Sequence, residues 1–208
     1  KNPDMIILPG TKNTMEDLLW MRQNGLEAAI LHRSAETFIF GICGGYQMLG
    51  KQIADPHGVE TGGVIRGMGL LPVTTELGEQ KVRTRVGGEI LGGMLDGWEL
   101  SGYEIHMGRT EALGGCRETI YLADGRVDGL ANPEGTVYGT YLHGIFDYGD
   151  LAAMLVSRLM VKKGLDPKNW HFDARAHKKQ EYDKLADLVR SSLDMKKIYE
   201  ILEEGISC

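Results

Sequence analysis

The hydrophobic pattern opens with a short apolar run, Met5-Ile6-Ile7-Leu8, which with Pro3 predicts a buried strand, followed by a loop at Pro9-Gly10-Thr11-Lys12-Asn13. Thr14 with Asp17 three positions on predicts an N-cap, and Leu18, Leu19 and Met21 carry a helix to Asn24-Gly25. Leu26 to about Arg33 reads as a second helical segment, and Phe38 to Ile42 as a strand that ends at Cys43. Strands joined by helical crossovers predict a parallel sheet, and such sheets carry their sites at the carboxyl ends of strands. Gly10 and Cys43 both occupy such ends.

A helix over Gly44 to Ile53 comes next, and then the pattern changes. Asp55 to Val137 is rich in glycine and short β-like runs at Gly69 to Thr75, Lys81 to Ile90, Glu99 to His106 and Thr119 to Leu122. This predicts a meandering antiparallel layer on the α/β core. Val137 to Leu142 is a further strand leading into His143, and Leu151 to Lys163 is an amphipathic helix that Gly164 stops. In the tail, Lys178 to Gly205, the residues Tyr182, Leu185, Val189 and Leu193 share one helical face, whereas Ile198, Ile201 and Leu202 fall on another. A break near Ser192 to Asp194 follows, with Asp194 capping a second helix. The expected organisation is one α/β domain over 1–164 and a helical extension over 165–208.

Composition narrows the possibilities. The chain has 208 residues, of which 42% are hydrophobic and 25% charged, enough for a full core. A net charge of −6 with no basic run argues against a nucleic-acid surface, and no apolar stretch approaches a membrane span. Cys43, Cys116 and Cys208 fit neither a disulfide framework nor a zinc ribbon, which points to a reducing, cytoplasmic compartment. Because the chain starts at Lys1 and enters a strand almost at once, a fragment of a longer protein is expected.

Gly41-Ile42-Cys43-Gly44-Gly45 has the form Gly-x-nucleophile-x-Gly at a strand-to-helix corner. A lone cysteine beside an apolar strand is ordinarily a small core residue, but a core cysteine has no need of glycines on both sides. The helix N-terminus at this corner favours a thiolate. A thiol nucleophile needs a proton acceptor, and histidine serves near neutral pH. Of the six histidines, His32 lies in a helical segment, His57 and His171 flank loops, and His177 opens the tail helix. His143, at a strand end before Gly144, and His106, alternating with Glu104 on one strand face, remain. The pair Glu104 and His106 reads either as a surface ion pair or as a contact for substrate or partner.

Four stretches together resemble a known family. Ile6-Ile7-Leu8-Pro9-Gly10-Thr11-Lys12-Asn13-Thr14, Gly41 to Gly50, Gly102-Tyr103-Glu104-Ile105-His106-Met107-Gly108 and Gly139-Thr140-Tyr141-Leu142-His143-Gly144-Ile145-Phe146-Asp147 are similar to the class I glutamine amidotransferase domain of cobyric acid synthases. The resemblance runs from Pro3 to about Gly164 and implies a flavodoxin-like three-layer fold with a mostly parallel central sheet. It implies that Cys43 attacks the side-chain amide of glutamine and that His143 is its proton carrier. It further implies an oxyanion hole from backbone N–H groups of Gly10 or Thr11 and of Gly44, and substrate contacts from Gln47, Tyr103, Glu104 and His106. Ammonia would pass to an N-terminal synthetase domain that amidates corrin carboxylates in cobalamin biosynthesis. No cofactor or metal is expected in this chain; ATP and Mg2+ belong to that synthetase domain, since no Gly-x-x-x-x-Gly-Lys-Ser/Thr loop is present.

In most class I relatives a Glu stands two residues beyond the histidine, where this chain has Ile145. The resembled subfamily lacks that acid, which leaves a backbone carbonyl, Asp147 or Glu104 to orient His143. Glutaminase modules acting on the a,c-side chains of the same macrocycle or on a cell-wall lipid precursor are related readings. A silent docking domain and a thiol hydrolase for esters or peptides are readings of other classes.

Overall fold

The computed structural model describes residues 2–92, 95–147, 150–170 and 172–204. His171, Gly205 and Cys208, named above, lie outside the described residues. The chain divides into two compact units, Lys1–Trp170 and His171–Cys208.

The first unit is built on one mixed sheet of ten strands. Strand β1 (Met5–Leu8) pairs in parallel with β2 (Phe38–Ile42), and β2 pairs in parallel with β9 (Val137–Thr140). From β9 the sheet continues through β8 (Val127–Ala131), β7 (Arg117–Leu122), β5 (Val73–Ile90), β3 (Gln52–Asp55) and β4 (Gly63–Arg66). The long strand β6 (Trp98–Ala112) pairs antiparallel with β5 and also with the short β10 (Leu142–His143). The antiparallel strands expected as a separate layer are thus hydrogen bonded into the same sheet as the parallel core.

Strand alternation divides the core. Ile39 enters one cluster with Leu8, with Met15 and Leu18 of α1 (Thr14–Gln23), with Ile30 of α2 (Leu26–Arg33), and with Tyr46, Met48 and Leu49 of α3 (Gly44–Leu49). Its neighbours Phe38 and Phe40 enter another, with Tyr138, Ile145 and Leu151, Met154 and Leu155 of α4 (Leu151–Lys162). Helices therefore cover both faces of β2. The first unit extends beyond Gly164 to Trp170, where a 3₁₀ turn at Pro167–Asn169 packs on α4.

Four local expectations are corrected. Thr14 does not cap α1: the Asn13 side chain accepts the Glu16 N–H at 3.3 Å, while the buried Thr14 hydroxyl donates to Gln47 Oε1 at 3.1 Å. The helix expected over Gly44 to Ile53 stops at Leu49, because Gly50 is extended and the chain enters β3, paired with both β4 and β5. The strand expected to run from Val137 into His143 is interrupted at Tyr141, where it leaves β2 and joins β6. Strand β1 is less buried than its apolar run suggests: it pairs on one side only, and Ile7 is exposed.

The second unit contains α5 (Ala174–Ser192) and α6 (Met195–Glu204). They separate at Leu193, whose backbone is extended, and Asp194 accepts the Lys197 N–H at 3.0 Å, so the expected break and cap are both present.

α3 lies tight on the strands because its first two residues, Gly44 and Gly45, have no side chains. A methyl group on Gly45 would lie 2.1 Å from the Leu8 carbonyl oxygen and 2.6 Å from its carbon, both backbone atoms. Gly45→Ala is expected to destabilise the protein by roughly 1–3 kcal/mol, lowering the thermal midpoint by roughly 2–4 °C for each kcal/mol. An unchanged midpoint in a calorimetric scan would contradict this packing.

Candidate active site

Cys43 sits between β2 and α3 with φ 52° and ψ −109°, the only non-glycine residue of positive φ among the described residues. A backbone in this region costs about 1–3 kcal/mol and persists only where its surroundings fix it. Here they do: the Cys43 N–H donates to the Thr140 carbonyl of β9 at 2.8 Å, and its own carbonyl accepts the Gln47 N–H at 3.0 Å. The cysteine itself takes the positive φ of the corner, and the glycines on either side of it allow the close approach of α3 to β1 and β2.

Three strand ends meet around the sulfur. A methyl group on Gly10 would lie 3.4 Å from Cys43 Cβ and 2.9 Å from His143 Cε1, so Gly10 is the floor between thiol and imidazole. A methyl group on Gly44 would lie 2.7 Å from Thr11 Cγ2 and 3.1 Å from the Thr11 nitrogen, so the loop after β1 and the first turn of α3 are in contact. Ile105 of β6 closes the site: its carbonyl accepts from the Cys43 thiol at 3.6 Å and faces the His143 imidazole, favouring its protonated form. Tyr103 stacks on the imidazole, with ring centroids 5.4 Å apart and planes 9° apart.

Of the groups expected to orient His143, the backbone carbonyl facing it is that of Ile105. Asp147 is exposed, and Ile145 is fully buried in the α4-side core, where an acid would be surrounded by hydrocarbon. Glu104 is also directed elsewhere. It is buried and receives a fork of bonds from Arg126 at 3.1 and 2.6 Å.

A cavity of about 340 Å³ opens over the thiol, with Thr11, Lys12, Gln47, Glu60 and His106 on its walls. A larger one of about 670 Å³ lies beyond the segment His106-Met107-Gly108, which lines both. Of the four expected substrate contacts, Gln47 and His106 line the thiol cavity. Tyr103 packs on the imidazole, and Glu104 lines the larger cavity. Glu104 and His106 do share a face, with a 3.6 Å approach, but the pair is buried and not on the surface. Gln47 is fixed by Thr14 and by the Tyr141 hydroxyl, to which its Nε2 donates at 3.3 Å.

Sequence reasoning missed Glu60 and Asp128, and it offered a backbone carbonyl for His143 without pointing to Ile105. Glu60 reaches the cavity because buried Asp55 accepts the N–H groups of Val59, Glu60 and Gly62, each at 2.8 Å, shaping the loop between β3 and β4. Glu60 Oε2 also accepts the Met15 N–H at 3.0 Å in the first turn of α1. Burial works against the charge on Asp55, but these backbone donors outweigh it and hold the carboxyl below its usual range. Only the Asp-to-Gly loop composition of Asp55 to Gly62 hinted at such a turn.

Electrostatics corrects the expected thiolate. Burial pushes the Cys43 thiol up, the Gly44 N–H opposes this, and the charges of Glu60 and Asp128 add to the upward push. Six residues of α3 do not outweigh that desolvation. His143 is pushed down, first by burial and also by His106, against the opposing bond to Ile105. Both shifts favour the neutral forms of the pair, thiol and imidazole. Among the described residues no group of three or more His, Cys, Asp or Glu side chains could hold a metal ion.

Comparison with known proteins matches residues 1–151 to the CobB/CobQ-like glutamine amidotransferase domain. The cobyric acid synthase of Lachnoclostridium phytofermentans is 48% identical over 222 residues, taking in 98% of this chain and 43% of the relative. That of Ruminiclostridium cellulolyticum is 46% identical over 217 residues, with 99% and 42% covered. The chain thus spans about two fifths of the length of the curated relatives it matches. Among solved structures, a glutamine amidotransferase superimposes with a TM-score of 0.55 at 21% identity, over 75% of this chain and 78% of the other. PurLQS from Thermotoga maritima gives 0.54 at 17%, over 77% and 80%. These two structures agree on the fold.

Alkylation of Cys43 by iodoacetamide, followed by mass spectrometry of its peptide, is expected to show a pH midpoint above the ~8.5 of a free thiol. A midpoint below that value would mean that a thiolate is already formed and that burial does not dominate.

Proposed function

The chain belongs to the CobB/CobQ-like glutamine amidotransferase family, and from that premise we propose that it hydrolyses glutamine to glutamate and ammonia through a thioester on Cys43. The observation that carries this reading is that Cys43 and His143 both lie against Gly10, with the Cys43 thiol bonded to the Ile105 carbonyl.

The neutral pair sets the order of events. The imidazole takes the thiol proton as sulfur adds to the side-chain amide carbon of glutamine, so charge develops in the transition state and not before it. The oxyanion is held by the backbone N–H groups of Gly44 and of Thr11 or Gly10, supplied by the contact between the β1 loop and α3. His143 then delivers the proton to the departing nitrogen and ammonia leaves. Water, deprotonated by the same imidazole, cleaves the γ-glutamyl thioester and releases glutamate. On the cavity wall, Glu60 and Lys12 offer one negative and one positive group to the α-ammonium and α-carboxylate of a free amino acid. Gln47, fixed by its two bonds, and His106 complete the wall, and Tyr103 keeps the imidazole in place.

The relatives named cobyric acid synthase support corrin carboxylates as the acceptor of the ammonia, in preference to the a,c-side chains or a cell-wall lipid precursor. In this reading ammonia passes to an N-terminal synthetase domain that uses ATP and Mg2+ in the cytoplasm. No described helix is long and apolar enough to cross a membrane.

Cys43→Ala is expected to abolish glutamate release and labelling by a glutamine-analogue diazo ketone, and His143→Ala to slow both by about 10²- to 10⁴-fold. Glutamine hydrolysis that survives Cys43→Ala would refute the assignment. Because burial lowers the pKa of His143, the base stays unprotonated further into acid than a free imidazole. The acid limb of kcat/KM is therefore expected below pH ~6.5, and a limb above that value would contradict a buried neutral base.

A further inference from the structure

Thr140 is the residue through which nucleophile and base are joined in the backbone. Its carbonyl accepts the Cys43 N–H at 2.8 Å, and it is the last β9 residue paired with β2, opposite Ile42. Two residues later the chain is in β10, where His143 lies opposite Tyr103 of β6. Between these points the strand must leave one partner for another, and a small change in the bend would move the imidazole relative to the sulfur.

The bend is gripped by a carboxylate from β8. The buried Asp128 accepts the Thr140 hydroxyl at Oδ2 and the Tyr141 N–H at Oδ1 and Oδ2, at 3.1 and 3.2 Å. The Thr140 hydroxyl in turn accepts the Leu142 N–H at 3.0 Å, so one carboxylate orders three consecutive residues. Tyr141, the residue at the bend, is fixed at its other end, where its hydroxyl meets Thr110 Oγ1 at 2.6 Å and Gln47 Nε2 at 3.3 Å. Its ring stacks on His106, with centroids 3.8 Å apart.

A buried carboxylate is costly unless its lone pairs are filled, and burial raises the pKa of Asp128 against the bonds from Thr140 and Tyr141. Those bonds go to the backbone that carries His143. Resting on the glutaminase reading of the site, we propose that Asp128, acting through Thr140, is a positioning residue that sets the approach of His143 to Cys43. It touches neither substrate nor the reacting atoms.

The test uses the whole chain and the rate of Cys43 labelling by the glutamine-analogue diazo ketone, read by intact mass at increasing reagent concentration, beside thermal melting of each variant. Asp128→Asn puts a donor where acceptors are needed, Thr140→Val removes the hydroxyl, and Thr140→Ser keeps it. The expected result is a maximal labelling rate about 10- to 100-fold lower in Asp128→Asn and Thr140→Val, with half-saturating concentration within about twofold of wild type. Thr140→Ser is expected to restore the rate to within about twofold. A folded Asp128→Asn or Thr140→Val that labels at the wild-type maximal rate would overturn the inference, as would losses that only track the folded fraction. Should Asp128→Asn not fold, the contrast between Val and Ser at Thr140 decides. A wild-type chain that is never labelled at Cys43 would instead refute the glutaminase reading itself.

Discussion

The left-handed backbone at Cys43 is the constraint on which the site depends. A strained residue holds its shape only if its neighbours cannot relax, and here every neighbour is fixed from a different direction. β2 is locked in parallel between β1 and β9, α3 is seated on the Leu8 carbonyl through Gly45, and the Cys43 N–H is bonded into β9. The side chain is thereby lifted off the sheet toward Gly10 and the Ile105 carbonyl. Were α3 to shift outward by the width of a methyl group, the corner would lose its support and the thiol its alignment with His143.

Energetically the site is built on burial more than on charge. Desolvation raises the thiol and lowers the imidazole, which favours the neutral pair over an ion pair. One carbonyl, that of Ile105, accepts from the thiol and faces the imidazole, and it comes from the long β6, which also borders the cavity above them. Where most class I relatives carry an acid this chain has Ile145, which packs in the α4-side core, and the groups facing His143 are the Ile105 carbonyl and the stacked Tyr103 ring.

Much of this was legible in the sequence, and what was not has a common cause. β2, the corner at Cys43, α2, the end of α4 and the break before Asp194 are set by residues close together in the chain, so local pattern suffices. His143 could be picked from six histidines because it ends a strand. The failures all involve partners far away. Thr14 looks like a cap but spends its hydroxyl on Gln47, and α3 stops at Gly50 because β3 finds β5. The thiol loses its expected acidity to burial by elements from both halves of the first unit. Asp128 and Glu60 carry no motif, and their importance exists only once β8 and the β3–β4 loop are folded beside the strand ends.

In the proposed reaction the corner aims Cys43 between an imidazole and two backbone N–H groups. The most direct measurement is a crystal structure of the chain after reaction with the glutamine-analogue diazo ketone. The expected result is a covalent bond from Cys43 Sγ, with the ligand's carbonyl oxygen within hydrogen-bond distance of the N–H groups of Gly44 and of Thr11 or Gly10. The His143 imidazole is expected to remain on the Ile105 carbonyl. An adduct on Cys116, or an oxygen turned away from both N–H groups with His143 displaced, would contradict it.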